Sequence, residues 1–169
     1  DARLVMGIHP YHFRWTLEPG AAFTAPEAAL VCSPDGFAGM SRQFHRAIRH
    51  NLIRDPWKDR RKPVLINHWE ATEMYFTADK LVDIAKEAPQ LGIELFVMDD
   101  GWFGARNSDN AGLGDWAVNE EKLPGGLGAL VPRIKKLGME FGIWIEPEMV
   151  NEDSDLYRAH PDWALSVPG

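Results

Sequence analysis

Three short segments of the sequence carry carboxylate, amide and indole side chains that could bind a small polar ligand. They are Asn67-His68-Trp69-Glu70, Asp99-Asp100-Gly101-Trp102 and the stretch that runs from Trp144 through Glu146 to Glu148. Carboxylates accept hydrogen bonds from hydroxyl groups, and an indole packs against the apolar C–H face of a sugar ring. These residue types together favour a polyhydroxylated ligand, and the seven tryptophans among 169 residues are in line with that interpretation.

A metal ion is the competing use of Asp99 and Asp100. Adjacent residues of an extended strand point to opposite faces, so the two carboxylates would not normally chelate one ion together. His45 and His50 are five positions apart and do not share a helix face, and the sequence has no His-Glu-x-x-His motif. We therefore expect no metal cofactor, and a metal-dependent hydrolase stays open as the less favoured alternative.

Other classes of ligand are disfavoured by composition and spacing. The formal net charge of −7 argues against a surface for nucleic acid or an anionic membrane. The glycine-rich run Gly125-Gly126-Leu127-Gly128 lies far beyond the second strand and predicts a loop and helix start, not a nucleotide site. The single cysteine, Cys32, cannot form an internal disulfide, which favours a reducing compartment and a cytoplasmic location.

The elements that must position these residues begin after a change of pattern near Pro63. Residues 1–35 carry short β-like runs at 4–8 and 28–31, a helix is predicted over 37–52, and a charged linker follows up to 62. From 63 onwards, apolar runs at 64–66, 93–98 and 139–145 predict strands. Helices are predicted after Thr77, over 127–137 and from Ser154 to Pro161, with Gly92 and Gly138 just past the ends of the first two.

Alternation of strands and helices predicts an α/β fold with a parallel sheet. The segment 91–97 recurs as 137–143, and each copy reads as a helix end, a glycine and a strand. In parallel α/β folds the carboxyl ends of the strands meet at the face that binds ligands, where all three polar segments would lie. A closed (β/α)8 barrel takes about 250 residues and a doubly wound sheet can be smaller, but three strand–helix units are few for either fold. We therefore expect residues 63–169 to form only part of a larger parallel sheet.

The longest polar motifs resemble a known family. These motifs closely resemble those of the bacterial α-galactosidases of the melibiase/raffinase type, glycoside hydrolase family 36. The resemblance covers essentially the whole chain. It is carried by Phe96-Val97-Met98-Asp99-Asp100-Gly101-Trp102-Phe103-Gly104, Leu113-Gly114-Asp115-Trp116, Gly138 through Trp144 to Val150, and His160-Pro161-Asp162-Trp163.

That resemblance implies a β-sandwich domain followed by a (β/α)8 TIM barrel. Residues 1–35 would be the end of the sandwich, 36–62 a helix and linker, and 63–169 the first three βα units of a truncated barrel. It implies retaining hydrolysis of terminal α-galactosyl residues from oligosaccharides such as raffinose and melibiose, without metal or nucleotide. The family's two catalytic aspartates lie on later strands, the first in a Lys-Trp-Asp-Met-Asn-Arg motif that is absent here. We expect both beyond Gly169, and a homotetramer for the full-length protein.

The resemblance also assigns roles in a galactose pocket. Asp99 and Asp100 would bind the 4- and 6-hydroxyls, and Trp69 and Trp144 would line the walls. Less firmly assigned to the substrate loop are Arg106, Asp115 and Trp116. Glu146 and Glu148, two apart on one strand face, could form a catalytic pair, but the resemblance argues against that role. We expect them instead to make structural hydrogen bonds at the barrel rim. The alternative function is a galactose- or carbohydrate-binding module without chemistry.

Overall fold

The computed structural model describes residues 3–54 and 56–165, and the chain divides into two compact units, Asp1–Arg61 and Lys62–Gly169. In the first unit helix α1 spans Gly36–Asn51, close to the predicted 37–52. No strand forms within residues 3–35, and Leu4, Val5 and Leu30 are exposed. A strand needs a neighbour for its backbone N–H and C=O groups, and the described part of this unit offers none. The β-sandwich therefore stays a prediction.

The second unit is built on a parallel sheet. Strands β1 (Leu65–Asn67), β2 (Leu95–Met98) and β3 (Glu140–Ile143) lie in the order β1-β2-β3. Both pairings are parallel, with Phe96 opposite Ile66 and Phe141. The predicted α/β class with parallel strands is confirmed, and each strand lies within a residue or two of its predicted place.

Three of the four α-helices of this unit lie close to their predicted places, whereas the short helix after β1 was not predicted. The four helices are α2 (Trp69–Thr72), α3 (Ala78–Glu87), α4 (Gly126–Lys135) and α5 (Asp155–Ala159). The first of the three predicted helices ends at Glu87, and a 3-10 turn, Pro89–Leu91, separates it from Gly92. Thr77 and Ser154 accept hydrogen bonds from backbone N–H groups as the N-caps of α3 and α5. Gly92 and Gly138 have φ of +80° and +83°, values that a residue without a Cβ adopts at little cost. No helix in the described part of the chain is long and apolar enough to cross a bilayer.

The core of the second unit lies between the sheet and helices α3 and α4. Phe96 and Met98 of β2 are fully buried, as are Leu81 of α3 and Ile134 of α4. The intervening strand residues are only half-buried within this chain, because successive side chains of a strand point to opposite faces. The helix-packed face holds β2 in place, so the residues that follow Met98 leave the sheet from a fixed point.

Candidate functional site

The carboxyl ends of the three strands bring the predicted polar segments to one edge of the sheet. The backbone N–H of Asp99 donates to Nε2 of His68 at 3.0 Å, which joins the ends of β1 and β2. On the other side, the backbone N–H of Trp144 donates to the carbonyl of Met98 at 2.8 Å. The strand alternation in the sequence correctly predicted that these segments would meet.

Asp99 is half-buried and is held from two directions. Its carboxylate accepts hydrogen bonds from Nδ2 of Asn67 and, at 2.7 Å, from the backbone N–H of Asp100. The side-chain oxygen of Asn67 in turn accepts from the backbone N–H of Trp69 at 2.8 Å. Asn67 therefore links Asp99 and Trp69, the carboxylate and the indole that the family resemblance assigns to one pocket.

His68 is fully buried behind this edge. Its ring lies edge-on to Phe76, with centroids 4.6 Å apart, and stacks at 6.4 Å on Phe96. Burial lowers the pKa of His68 below its ordinary value of 6.5, and the nearby Asp99 carboxylate opposes that shift. The imidazole is therefore neutral at neutral pH.

Asp100, the second predicted sugar ligand, forms a buried ion pair with Arg106. Both residues are 5% exposed. The guanidinium donates through Nε at 3.0 and 3.1 Å and through Nη2 at 2.8 Å, and the backbone N–H of Gly101 adds a bond of 2.6 Å. Because adjacent residues diverge here, Asp99 and Asp100 have separate sets of partners.

Arg106 was predicted to belong to the substrate loop. In the structure its guanidinium is buried and forms hydrogen bonds to the backbone of its own loop. Its Nη1 donates to three backbone carbonyls, those of Ser108, Asp109 and Ala111. Nη1 also donates to the side-chain oxygen of Asn151 at 3.1 Å. The guanidinium thus stabilises the loop through hydrogen bonds to its backbone and is not exposed at the surface.

Lys122 stabilises the same loop and was not recognised from the sequence. Its ammonium donates to the carbonyls of Met74, Gly101 and Arg106 at 3.0, 2.8 and 3.1 Å. Burial lowers the pKa of Lys122, while the charge of Asp100 opposes the shift. A single lysine between loop residues carries no motif, so no sequence signal identified it.

Asp115 connects the loop after β2 to the segment after β3. Its two carboxylate oxygens accept from the backbone N–H groups of Asp155 and Leu156, both at 3.0 Å. These amides open helix α5, where a carboxylate satisfies donors that have no partner within the helix. The structure therefore gives Asp115 a capping contact.

The predicted indoles separate into packed and lining side chains. Trp116 lies 4.4 Å from Phe103 and 6.5 Å from Trp144 between ring centroids, which places it against the core. The indole N–H of Trp102 donates to the carbonyl of Trp144 at 2.9 Å. Trp69, by contrast, is half-buried and lines a cavity of about 390 Å³ between α2 and the loop after β2.

Glu146 and Glu148 do not occupy one strand face, because β3 ends at Ile143 and a turn follows at Pro147. Glu146 is half-buried and Glu148 is exposed. Within residues 3–54 and 56–165 no group donates a hydrogen bond to either carboxylate, so the expected structural bonds at the rim are not seen.

The described residues form no cluster suited to a metal ion. Across those positions, no group of three or more His, Cys, Asp or Glu side chains converges. Cys32, which carries the compartment prediction, is exposed and unpaired.

Comparison with known proteins identifies the family of this arrangement. A family model described as Melibiase matches residues 22–169. The chain is 52% identical over 167 residues to Alpha-galactosidase AgaA of Geobacillus stearothermophilus, covering 99% of this chain and 23% of that protein. It is 54% identical over 169 residues to the Bifunctional alpha-galactosidase/sucrose kinase AgaSK of Mediterraneibacter gnavus, covering 100% of this chain and 18% of that protein.

Solved structures agree with these relatives. The crystal structure of the GH36 α-galactosidase AgaA A355E from G. stearothermophilus with 1-deoxygalactonojirimycin superposes with a TM-score of 0.87 at 51% identity. That match covers 96% of this chain and 23% of the other. The chain thus spans less than a quarter of the length of these relatives. The chain belongs to the melibiase family, the α-galactosidases of glycoside hydrolase family 36.

Proposed function

We propose that the protein hydrolyses terminal α-linked galactose from α-galactoside oligosaccharides, and that this chain supplies the first part of the galactose pocket. One observation carries the proposal. The strand ends that bear Trp69, Asp99 and Trp144 lie within the stretch that is 51% identical to an α-galactosidase solved with raffinose. A variant of the same relative was solved with stachyose. An α-galactoside oligosaccharide is therefore the proposed ligand here.

Asp99 is the residue to which we assign direct contact with galactose. A carboxylate oxygen offers about two lone pairs, so the bonds from Asn67 and from the Asp100 amide leave room for a substrate hydroxyl. Asp100 is 5% exposed and both its oxygens already accept from Arg106, so we assign it the smaller share of hydroxyl binding. Trp69 and Trp144 would provide the apolar walls.

The remaining loop residues support this contact by position. Arg106 donates its hydrogen bonds within the loop and to Asn151, and Asp115 accepts from the first amides of α5. Trp116 packs against Phe103. We assign them to the support of the pocket.

The wider architecture and reaction follow from the family. We propose that β1, β2 and β3 are the first strands of a (β/α)8 barrel, which their parallel order supports. A retaining mechanism needs two carboxyl groups about 5–5.5 Å apart. We assign both to aspartates outside this chain, in line with the absence of a Lys-Trp-Asp motif here. We also propose a homotetramer that acts in the cytoplasm on raffinose or melibiose, the location being supported by the exposed thiol of Cys32.

The test uses the complete protein with raffinose and a chromogenic α-galactoside. Replacing Asp99 by Asn removes one acceptor, and a charge-assisted bond of roughly 1.5–3 kcal/mol corresponds to a loss of about 10- to 150-fold in kcat/KM. Asp83→Asn, on the exposed side of α3, is the control and should leave kcat/KM unchanged. Galactose binding without hydrolysis by the parent protein would instead support a carbohydrate-binding module, and loss of turnover with a chelator would support a metal-dependent hydrolase.

A further inference from the structure

We propose that His68 is a positioning residue for the sugar-binding carboxylate: its ring, held in one neutral tautomer, fixes the backbone from which the side chain of Asp99 projects. This inference rests on the proposed function, in which Asp99 accepts a hydrogen bond from a substrate hydroxyl. It adds a second layer to the site, formed by a residue that does not touch the sugar.

The hydrogen bonds of His68 determine its tautomer. The backbone N–H of Asp99 can only donate, so Nε2, at 3.0 Å from that nitrogen, must carry a lone pair. In the neutral ring the proton then lies on Nδ1, which donates to Oγ1 of Thr72 at 2.8 Å. The threonine hydroxyl is left to donate its single proton to the carbonyl of Glu73 at 3.2 Å or to that of His68 at 3.4 Å. In either case Thr72 accepts from Nδ1, and Nε2 accepts from Asp99.

The surroundings of His68 hold it in this form. The ring is 0% exposed and lies between Phe76 and Phe96. A proton on Nε2 would point at the Asp99 N–H, so the charged ring would lose this bond. Burial also lowers the pKa of His68, Lys80 adds to that effect, and Asp99 is the charge that opposes it.

The contact matters because of where Asp99 lies. Strand β2 ends at Met98, so Asp99 is the first residue beyond the sheet. An unsatisfied N–H at this place would be costly and would free the backbone to move. His68 bonds the backbone of Asp99, and its neighbour Asn67 bonds the carboxylate, so the end of β1 holds both parts of the residue. A misplacement of about 1 Å in a binding group can lower the rate about 100-fold.

His68 cannot act on the substrate directly. It has no exposed surface, and both ring nitrogens are engaged within the protein. Its effect on turnover must therefore pass through Asp99, which gives the proposal a signature that simple core packing would not have.

The first experiment compares two replacements of His68 in the complete enzyme. The side-chain oxygen of Gln reaches the place of Nε2 and can accept from Asp99, whereas Asn reaches only the place of Nδ1 and keeps the side of Thr72. We expect His68→Gln to retain kcat/KM within about threefold, and His68→Asn to lower it about 10- to 100-fold. Equal values for the two variants would overturn the proposal.

A double-mutant cycle with Asp99→Ala separates positioning from general damage. If His68 acts through the carboxylate, His68→Asn should cost less than about twofold when Asp99 is already Ala. The same 10- to 100-fold loss in both backgrounds would overturn the inference while leaving the role of Asp99 intact. If Asp99→Ala alone left kcat/KM unchanged, the proposed pocket itself would be wrong, and the inference with it.

Thr72 provides the same test if the His68 variants do not fold. Thr72→Ser keeps the hydroxyl that accepts from Nδ1, and Thr72→Val removes it with little change in shape. We expect Ser to stay within twofold of the parent and Val to lose about fivefold or more in kcat/KM, again only while Asp99 is present. Equal activity of the Ser and Val variants would contradict the proposed tautomer lock.

Discussion

The loop after β2 and the segment after β3 resemble each other in sequence, since each places carboxylates and an indole just beyond a strand. In the structure they are held very differently. Asp100 is buried against Arg106, and Lys122 bonds three carbonyls of neighbouring turns. Glu148 is exposed in a turn. A carboxylate at a strand end therefore indicates a position, whereas its role depends on the cation or amide that reaches it from elsewhere in the chain.

The largest effect is expected from removing the cation of the buried pair. Arg106→Met leaves Asp100 without its countercharge, and breaking a buried ion pair in this way costs about 3–5 kcal/mol. Deuterium uptake of peptides within 99–119 in the complete protein should rise strongly, and kcat/KM should fall with it.

The control for this variant is Arg133→Met. Arg133 pairs with Asp79 at 2.6 Å, but the two side chains are 44% and 82% exposed, so the pair should contribute less than about 1 kcal/mol. Similar uptake in the two variants would mean that the loop after β2 does not depend on the buried pair.

Lys122→Met should have the next largest effect. The three carbonyls lose their common donor, at roughly 1–3 kcal/mol for an unsatisfied buried group. The apolar side chain offsets part of this loss because a desolvated charge is removed as well, as the lowered pKa of Lys122 indicates. Exchange in 99–119 should increase, but less than in Arg106→Met. The control is Lys86→Met, at an exposed ion pair on α3, which should leave deuterium uptake within 99–119 unchanged. Equal uptake in the Lys122 and Lys86 variants would mean that Lys122 does not stabilise the loop.

Local signals in the sequence were enough for most elements of the second unit. Thr77 and Ser154 mark helix starts, Gly92 ends the 3-10 turn that follows α3, and Gly138 lies three positions past α4, because each feature acts within a few residues. The strand ends, and with them Asp99, followed from the alternation of elements. Local sequence features therefore predict at which strand end a functional side chain lies.

The partners of the polar residues could not be predicted in the same way. The link from Asn151 to Arg106 spans 45 positions, and that from Asp115 to Leu156 spans 41. Such contacts depend on how loops fold back over the sheet, and no local pattern encodes them. The β-like runs in 3–35 form no strand in this structure for the related reason that a strand depends on a partner elsewhere, and the sandwich stays a prediction.

A smaller change is expected at the contact that joins the two regions. Asp115→Ala removes the acceptor for the first amides of α5, and loss of such a cap costs about 0.5–2 kcal/mol. Exchange should rise within 155–159 and much less within 99–111. The control is Asp109→Ala, in the same loop, whose 85% exposed carboxylate lies 3.6 Å from Arg106 and accepts from no amide of α5. Uptake that rose equally in both variants would argue against a capping role.

The smallest effect is expected at Glu148. Its carboxylate is exposed, and within the described residues no donor contacts it. Glu148→Gln should therefore change the free energy of unfolding by no more than about 0.5 kcal/mol, as is usual for surface positions.

The same variant also tests the catalytic alternative for the segment after β3. Removing a general acid or base costs about 100- to 10,000-fold in rate, whereas we expect kcat on a chromogenic α-galactoside to stay within about threefold for Glu148→Gln. Glu146→Gln, half-buried and two positions earlier, serves as the matched comparison. If kcat fell several hundredfold in either variant while amide deuterium uptake elsewhere stayed unchanged, a catalytic carboxylate would lie in the segment after β3. Both regions would then contribute residues to the reaction.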